Sequence, residues 1–166
     1  MNLLDIPLFA RARQSHAIEH ATIHLLSQRD PSLRLVGRSD DKGFYIYGFV
    51  STEMVKHAAE EALRRLQAGE AYLAIHPNCG TNIAVAGTLA GLAALLASVG
   101  RRRSFFWDRL PSAITAATLA LFLAHPLGYL LQARVTTSAQ VEGVRIGPIT
   151  RQDNGYLVVH QVLLER

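Results

Sequence analysis

Two histidines and a glutamate near the start of the chain have the spacing of a metal-binding helix. Residues 16–20 read H-A-I-E-H, and His24 follows one turn later. Residues four apart lie on the same face of an α-helix, so the three imidazoles would form one ridge. Two imidazoles at this spacing can bind one zinc ion, and a carboxylate between them can accept a proton from metal-bound water. The spacing predicts a metal site at His16 and His20 with Glu19 as general base; the alternative is a solvated face without a ligand.

A second reactive stretch, H-P-N-C-G-T-N over residues 76–82, directly precedes a long apolar segment. His76 and Cys79 have the H-x-x-C spacing that suits zinc. Cys79 would lie at a helix N-terminus, where the helix dipole lowers the pKa of a thiol, so it is also a candidate nucleophile. The alternative is a rigid turn set by Pro77. Several residues could supply the third ligand beside His16 and His20: His24, His76, Cys79, Glu53, His57 and Glu60.

Two long segments without charged residues predict a transmembrane hairpin. They are residues 81–99 and 112–133, in a chain with 49% hydrophobic and only 18% charged residues. Each is long enough to cross a hydrocarbon core of about 30 Å at about 1.5 Å per residue. Gly87 and Gly91 form a G-x-x-x-G pattern, which favours close packing on the second helix of the same chain or in a homo-oligomer. We therefore expect a multi-pass cell-membrane protein with the lipid bilayer as its partner.

The compartment of the soluble part follows from weaker signals. The loop at residues 101–109 contains four arginines together with aromatic residues, which is typical of a membrane interface and would place the loop in the cytoplasm. Two features oppose this orientation, which would put the soluble part outside the cell. Cys79 is the chain's one cysteine and cannot form an intramolecular disulfide, which fits a reducing compartment, and the N-terminus lacks the pattern of a signal peptide. We expect the soluble domain to be cytoplasmic. The net charge of +4 is spread along the chain without a basic and aromatic stripe, so we expect no nucleic-acid partner.

The remaining sequence predicts an α+β fold. A small mixed domain of two helices and about five short strands is interrupted by the two-helix transmembrane hairpin. Its boundaries are an N-terminal domain at 1–80, the hairpin at 81–133 and a C-terminal β-hairpin at 134–166 that completes the first domain. Asn154 and Gly155 favour a type I′ turn in that β-hairpin, and Gly43 is expected to adopt positive φ in an earlier turn. The predicted helices are 11–29 and 52–68, and the predicted strands are 33–38, 44–50, 71–75, 144–150 and 156–164.

Three stretches together resemble an uncharacterised family of small bacterial and cyanobacterial membrane proteins with a domain of unknown function. They are H-A-I-E-H-A-T-I-H from residue 16, G-F-Y-I-Y-G from residue 43 and G-E-A-Y-L-A-I-H-P-N-C-G-T-N from residue 69. The resemblance implies a membrane location and no specific activity. The H-x-x-E-H motif alone is also similar to that of inverzincin metallopeptidases. That similarity implies zinc ligands at His16 and His20 and a general base at Glu19, but it covers no matching third ligand.

Three functions follow, in decreasing order of support. The first is a membrane protein that binds zinc or a similar ion and acts as a peptidase-like hydrolase if water holds one ligand position. The second is a membrane-anchored scaffold or interaction protein without chemistry. The third is a thiol enzyme in which Cys79 is the nucleophile, His20 or His76 is the base, and Glu19 orients the imidazole.

Overall fold

The chain forms two compact units in the computed structural model, which describes residues 6–99 and 106–166. The α+β unit contains the chain up to His76 and from Ala133 onward, and the hairpin unit is Pro77–Gln132. Residues 101–105, which carry most of the predicted interfacial loop, lie outside the described part. The elements are α1 (Pro7–Arg29), β1 (Val36–Ser39), β2 (Gly43–Tyr47), α2 (Thr52–Gln67), a 3₁₀ turn (Ala71–Ala74), α3 (Gly80–Ser98), α4 (Phe106–Leu131), a π turn (Gln132–Thr136), β3 (Arg145–Asp153) and β4 (Val158–Glu165).

The sheet of the α+β unit is antiparallel, with strand order β1-β2-β4-β3. The C-terminal strand β4 lies in the middle, with Phe44 opposite Val162 and Ile46 opposite His160. Alternate residues of β4 are buried, as expected when α1 and α2 cover one face of the sheet. The predicted α+β class with two potentially membrane-spanning helices is confirmed.

The predicted strand at 71–75 is wrong, because this segment forms the 3₁₀ turn Ala71–Ala74. Leu73 and Ala74 are both buried, whereas a strand would bury every second residue. The described residues therefore form four strands. The segment is too short for the spacing of its apolar residues to distinguish a strand from a 3₁₀ turn.

The helix α1 is buried on nearly all sides. Pro7 occupies its first turn, where the missing N–H costs nothing, and the helix ends before Asp30-Pro31 as predicted. It packs against α2, β1, β2 and the 3₁₀ turn. The imidazole of His20 and the carboxylate of Glu19 are both buried, being only 3% and 5% exposed. The ridge is therefore buried at His20 and partly exposed at His16 and His24.

Two glycine turns differ from expectation. The hairpin between β3 and β4 has a positive φ of 80° at Gly155, but no residue other than glycine has positive φ among those described, so the turn is not type I′. Instead the Asn154 side chain accepts hydrogen bonds from the N–H groups of Tyr156 and Leu157. Gly43 does not have the expected positive φ. A Cβ at this position would instead overlap the carbonyl oxygen of Val162 in β4. Close strand approach therefore explains this glycine.

The hairpin unit consists of α3 and α4 packed antiparallel. Near one end the Gln132 amide donates to the Asn82 side-chain oxygen at 2.7 Å, and near the other Arg109 donates to the Ser98 carbonyl at 3.0 Å. The segments Gly80–Ser98 and Trp107–Thr136 are long and apolar enough to cross a membrane. The second helix begins at Phe106, before the uncharged segment 112–133 from which the sequence predicted it.

Gly87 and Gly91 do not contact α4, so the predicted intrachain use of the G-x-x-x-G pattern is wrong. A Cβ at either glycine would meet no atom within 4 Å. The glycine that permits close approach is Gly128, where a Cβ would overlap the side chain of Asn82. The G-x-x-x-G pattern identified a face of α3 with small residues but not the helix that packs against it.

Candidate metal centre

The structure brings His16 and His20 together on one side of α1. Their ring centroids are 4.2 Å apart with the rings inclined at 61°. One nitrogen of each ring lies within 4.8 Å of one nitrogen of the other. In a tetrahedral zinc site two imidazole nitrogens are about 3.3 Å apart, given Zn–N bonds of about 2.0 Å. The two rings are therefore close enough to be candidate ligands of one ion.

Backbone carbonyls fix which nitrogen of each ring carries the proton. The Nδ1 atom of His16 lies 2.9 Å from the Thr136 carbonyl oxygen, and Nδ1 of His20 lies 2.7 Å from the Ala74 carbonyl oxygen. A carbonyl oxygen only accepts hydrogen bonds, so Nδ1 is the donor in each neutral ring and Nε2 bears the lone pair. Metal-binding histidines typically have this arrangement, in which the second nitrogen donates to a carbonyl and holds the ring in place.

The two carbonyls come from irregular backbone. Ala74 is the last residue of the 3₁₀ turn, and Thr136 is the last residue of the π turn that follows α4. Such segments leave carbonyl oxygens without the repeating partners of a long helix. Sequence reasoning missed both residues, because a backbone carbonyl leaves no signature in residue type.

His76 lies beside this pair. Its ring centroid is 5.7 Å from that of His20. Burial, followed by the proximity of the His20 and His24 imidazoles, lowers the pKa of His76 to about 4. The imidazole is therefore neutral at pH 7, which is the protonation state that binds metal.

Glu19 and His24 are held elsewhere. The carboxylate of Glu19 packs against β1, where a Cβ on Gly37 would overlap it. The Gln28 amide donates a hydrogen bond at 2.9 Å to Nε2 of His24, so this nitrogen is already an acceptor. The predicted general base Glu19 therefore contacts β1, and His24 is hydrogen-bonded to Gln28 of its own helix.

Cys79 is the N-cap residue of α3, as the sequence predicted. The Thr81 N–H donates to its Sγ atom at 3.4 Å, and the side chain is buried. An N–H donor at a helix N-terminus favours the thiolate over the thiol.

The candidate ligands on α2 face solvent. The carboxylate of Glu53 lies 3.3 Å from Nε2 of His57, and the side chains are 77% and 60% exposed. Glu60 is exposed on the same helix. The contact between Glu53 and His57 is the i,i+4 pairing typical of a solvated helix face.

A family model for a domain of unknown function, DUF6391, matches residues 11–149. The chain belongs to this family. A relative in Picosynechococcus sp., described as an uncharacterized protein, is 36% identical over 140 residues, which cover 76% of this chain. The chain spans 65% of the length of that relative. No solved structure matches the chain. The predicted relationship to an uncharacterised family is therefore confirmed, and the comparisons assign no activity.

Proposed function

We propose that this DUF6391 protein is a two-span integral membrane protein whose α+β unit binds zinc or a similar ion through His16 and His20. The observation that carries the proposal is the pair of hydrogen bonds from Nδ1 to the carbonyls of Thr136 and Ala74. Both bonds set the rings in the tautomer that presents Nε2 as a ligand. A pair of histidines that served only packing would not need matching tautomers one helical turn apart.

Cys79 and His76 are the proposed additional ligands. They are separated by two residues, which limits their Cα atoms to about 11 Å apart wherever the two units lie. The H-x-x-C spacing is common in zinc sites, and the Thr81 N–H supports the thiolate that zinc requires. Imidazole nitrogen with thiolate sulfur favours zinc over magnesium or calcium, which prefer oxygen.

The number of protein ligands decides between a structural and a catalytic ion. With His16, His20, His76 and Cys79 all bound, zinc would be four-coordinate and structural. With one position held by water, hydrolysis of a peptide or small amide would follow, with Glu19 as the proposed general base. The packing of Glu19 against Gly37 requires the carboxylate to turn before it acts.

The proposed membrane location is supported by the two apolar helices of the hairpin unit. The 19 residues of α3 span about 28 Å, close to the thickness of a hydrocarbon core. Because α3 and α4 are antiparallel, both connections to the α+β unit leave the hairpin at one end. We place that end in the cytoplasm, where a reduced thiol at Cys79 is stable. A homo-oligomer through Gly87 and Gly91 is also proposed, since no other part of the described chain covers these glycines.

The deciding experiment measures metal in detergent-purified, untagged protein. The parent is compared with the His16→Ala/His20→Ala double variant and with His57→Ala, which removes an exposed histidine as a matched control. We expect about one equivalent of zinc or iron in the parent and the control, and none in the double variant. No bound metal in the parent after zinc reconstitution would refute the proposal, and so would full retention in the double variant.

A thiol enzyme is the competing function, because the Thr81 N–H that supports a zinc-bound thiolate would equally activate a nucleophile. Alkylation with iodoacetamide at mildly acidic pH separates the two. For a zinc ligand, Cys79 is protected until a chelator removes the ion. A nucleophile would react faster than free cysteine with or without chelator. Cys79→Ser is the control for background alkylation.

A further inference from the structure

We infer that the first turns of α1 and the segment after α4 form a surface that binds anionic phospholipid headgroups. We refer to the exposed side chains of these two segments, Leu8, Phe9, Arg11 and Arg134, as the Arg11 surface. The inference rests on the proposed membrane location but not on the metal site.

Hydrogen bonds from two arginine side chains to backbone carbonyls hold the start of α1 in place. The Arg13 guanidinium donates to the carbonyl oxygens of Arg134 and Thr137, both at 3.1 Å. The Arg166 guanidinium donates to the Arg11 carbonyl at 2.9 Å. The Arg13 bonds tie the start of α1 to the chain segment that leaves the hairpin, and the Arg166 bond ties it to the end of β4.

Chain connectivity places this surface near the end of a membrane-spanning helix. Arg134 is the third residue after Leu131, the last residue of α4. Three residues extend over at most about 11 Å. If α4 spans the bilayer, Arg134 must lie within headgroup distance of the membrane. Because Arg13 is hydrogen-bonded to the Arg134 carbonyl, the start of α1 with Arg11 lies near the membrane as well.

The charge of the surface matches an anionic partner. The side chains of Arg11 and Arg134 are exposed, and neither makes a hydrogen bond or ion pair within the part of the chain that the structure describes. Guanidinium groups bind phosphate with two parallel hydrogen bonds, and basic residues beside a membrane helix are attracted to anionic lipid.

The apolar residues beside these arginines fit the same partner. Leu8 and Phe9 are 57% and 46% exposed in the first turn of a helix whose middle part is buried. Exposed leucine and phenylalanine next to arginine is the composition of a helix end that inserts into the boundary between headgroups and acyl chains. A soluble phosphate ligand would give no reason for the exposed apolar side chains, so the membrane surface accounts for more of what is observed.

A single-tryptophan reporter tests the inference on the full chain. The parent has one tryptophan, Trp107, so Trp107→Phe/Phe9→Trp moves the reporter to the surface. Each protein is reconstituted into phosphatidylcholine vesicles with and without phosphatidylglycerol, in which some lipids carry bromine near the headgroup end of the acyl chain. We expect bromine to quench the relocated tryptophan at least twofold more strongly with phosphatidylglycerol than without it.

Variants in the reporter background identify the arginines responsible. Arg11→Gln/Arg134→Gln is expected to reduce quenching in phosphatidylglycerol vesicles to the level of phosphatidylcholine alone. Arg29→Gln, an exposed arginine at the far end of the same helix, is the matched control and should leave quenching unchanged. Equal quenching in both vesicle types, or equal loss in the control, would overturn the inference. Native Trp107 in the parent reports hairpin insertion independently. Its quenching without quenching of the relocated tryptophan would refute the lipid surface alone, whereas loss of both signals would refute the membrane location.

Discussion

Replacing His20 by asparagine or by alanine should separate the structural role of this residue from metal binding. The amide nitrogen of asparagine occupies nearly the position of Nδ1, so His20→Asn can still donate to the Ala74 carbonyl. It has no atom at the position of Nε2 and therefore cannot supply the ligand. His20→Ala loses both functions. We expect neither variant to retain metal, but only the alanine variant to be strongly destabilised.

The size of the difference follows from the burial of the two partners. His20 is 3% exposed and Ala74 is 2% exposed, so alanine at position 20 leaves a buried carbonyl without its donor. Losing the bond costs about 1 kcal/mol, and the unsatisfied carbonyl raises the total to about 2–4 kcal/mol. His20→Asn keeps the bond and should cost about 1 kcal/mol for lost packing. At about 2–4 °C per kcal/mol, the melting temperature should fall by about 4–16 °C for alanine and by about 2–4 °C for asparagine.

The assay is thermal unfolding followed by circular dichroism in detergent with a chelator, so that bound metal does not contribute to stability. Metal content is measured on separate samples without chelator. His57→Asn and His57→Ala, at an exposed position, should both stay within about 0.5 kcal/mol of the parent. Equal destabilisation by asparagine and alanine at position 20 would refute the orienting role of the Ala74 carbonyl. Zinc retained by His20→Asn would refute the assignment of His20 as a ligand.

Three further predictions concern the fold. Gly43→Ala should destabilise the α+β unit by about 2 kcal/mol or more, because the new Cβ would overlap the Val162 carbonyl, whereas Gly80→Ala meets no atom within 4 Å and should be nearly neutral; thermal unfolding compares them. His160 is buried, and burial followed by the charge of Arg151 lowers its pKa, so its neutral form stabilises the fold above about pH 6.5 and that stability is lost as the pH falls towards the lowered pKa. His160→Gln, which can still bond to Thr52, should lose less stability than the parent between pH 7 and pH 5, and an equal loss would contradict this. Gln132→Ala should weaken the hairpin unit by about 1 kcal/mol by removing the bond to Asn82, measured by unfolding in mixed micelles, while Thr118→Ala, whose hydroxyl bonds only within α4, should change it less.

Residue pattern predicted the parts of the fold that periodicity controls. The apolar runs located α3 and α4. Ser51 caps α2 by accepting from the Met54 N–H, and Gly69 has positive φ after that helix; both residue types are typical of these positions. Predictions failed where tertiary contact overrides local preference. Gly43 is required by the neighbouring strand rather than by its own turn, and Gly87 faces away from the helix it was expected to contact.

The candidate site was predictable only in part, for a physical reason. Spacing on a helix placed His16 and His20 together, because one turn of helix is a local constraint. It could not show that Glu19 would pack against Gly37 or that Gln28 would engage His24, since those contacts depend on neighbouring elements and rotamers. The carbonyls that set the tautomers are invisible in sequence for the same reason, although they decide whether the rings can act as ligands.

The positions of those carbonyls give the insertion of the hairpin a role in the site. Ala74 lies just before the chain enters the hairpin unit, and Thr136 lies just after the chain leaves it. Each connection orients one of the two imidazoles, so movement of either segment would turn the ring that it holds. An ion bound by both Nε2 atoms would in turn fix both rings and, through them, both connections. On this argument the proposed metal stabilises the two chain crossings, which accounts for a histidine being buried at position 20, where an apolar side chain would pack at less cost.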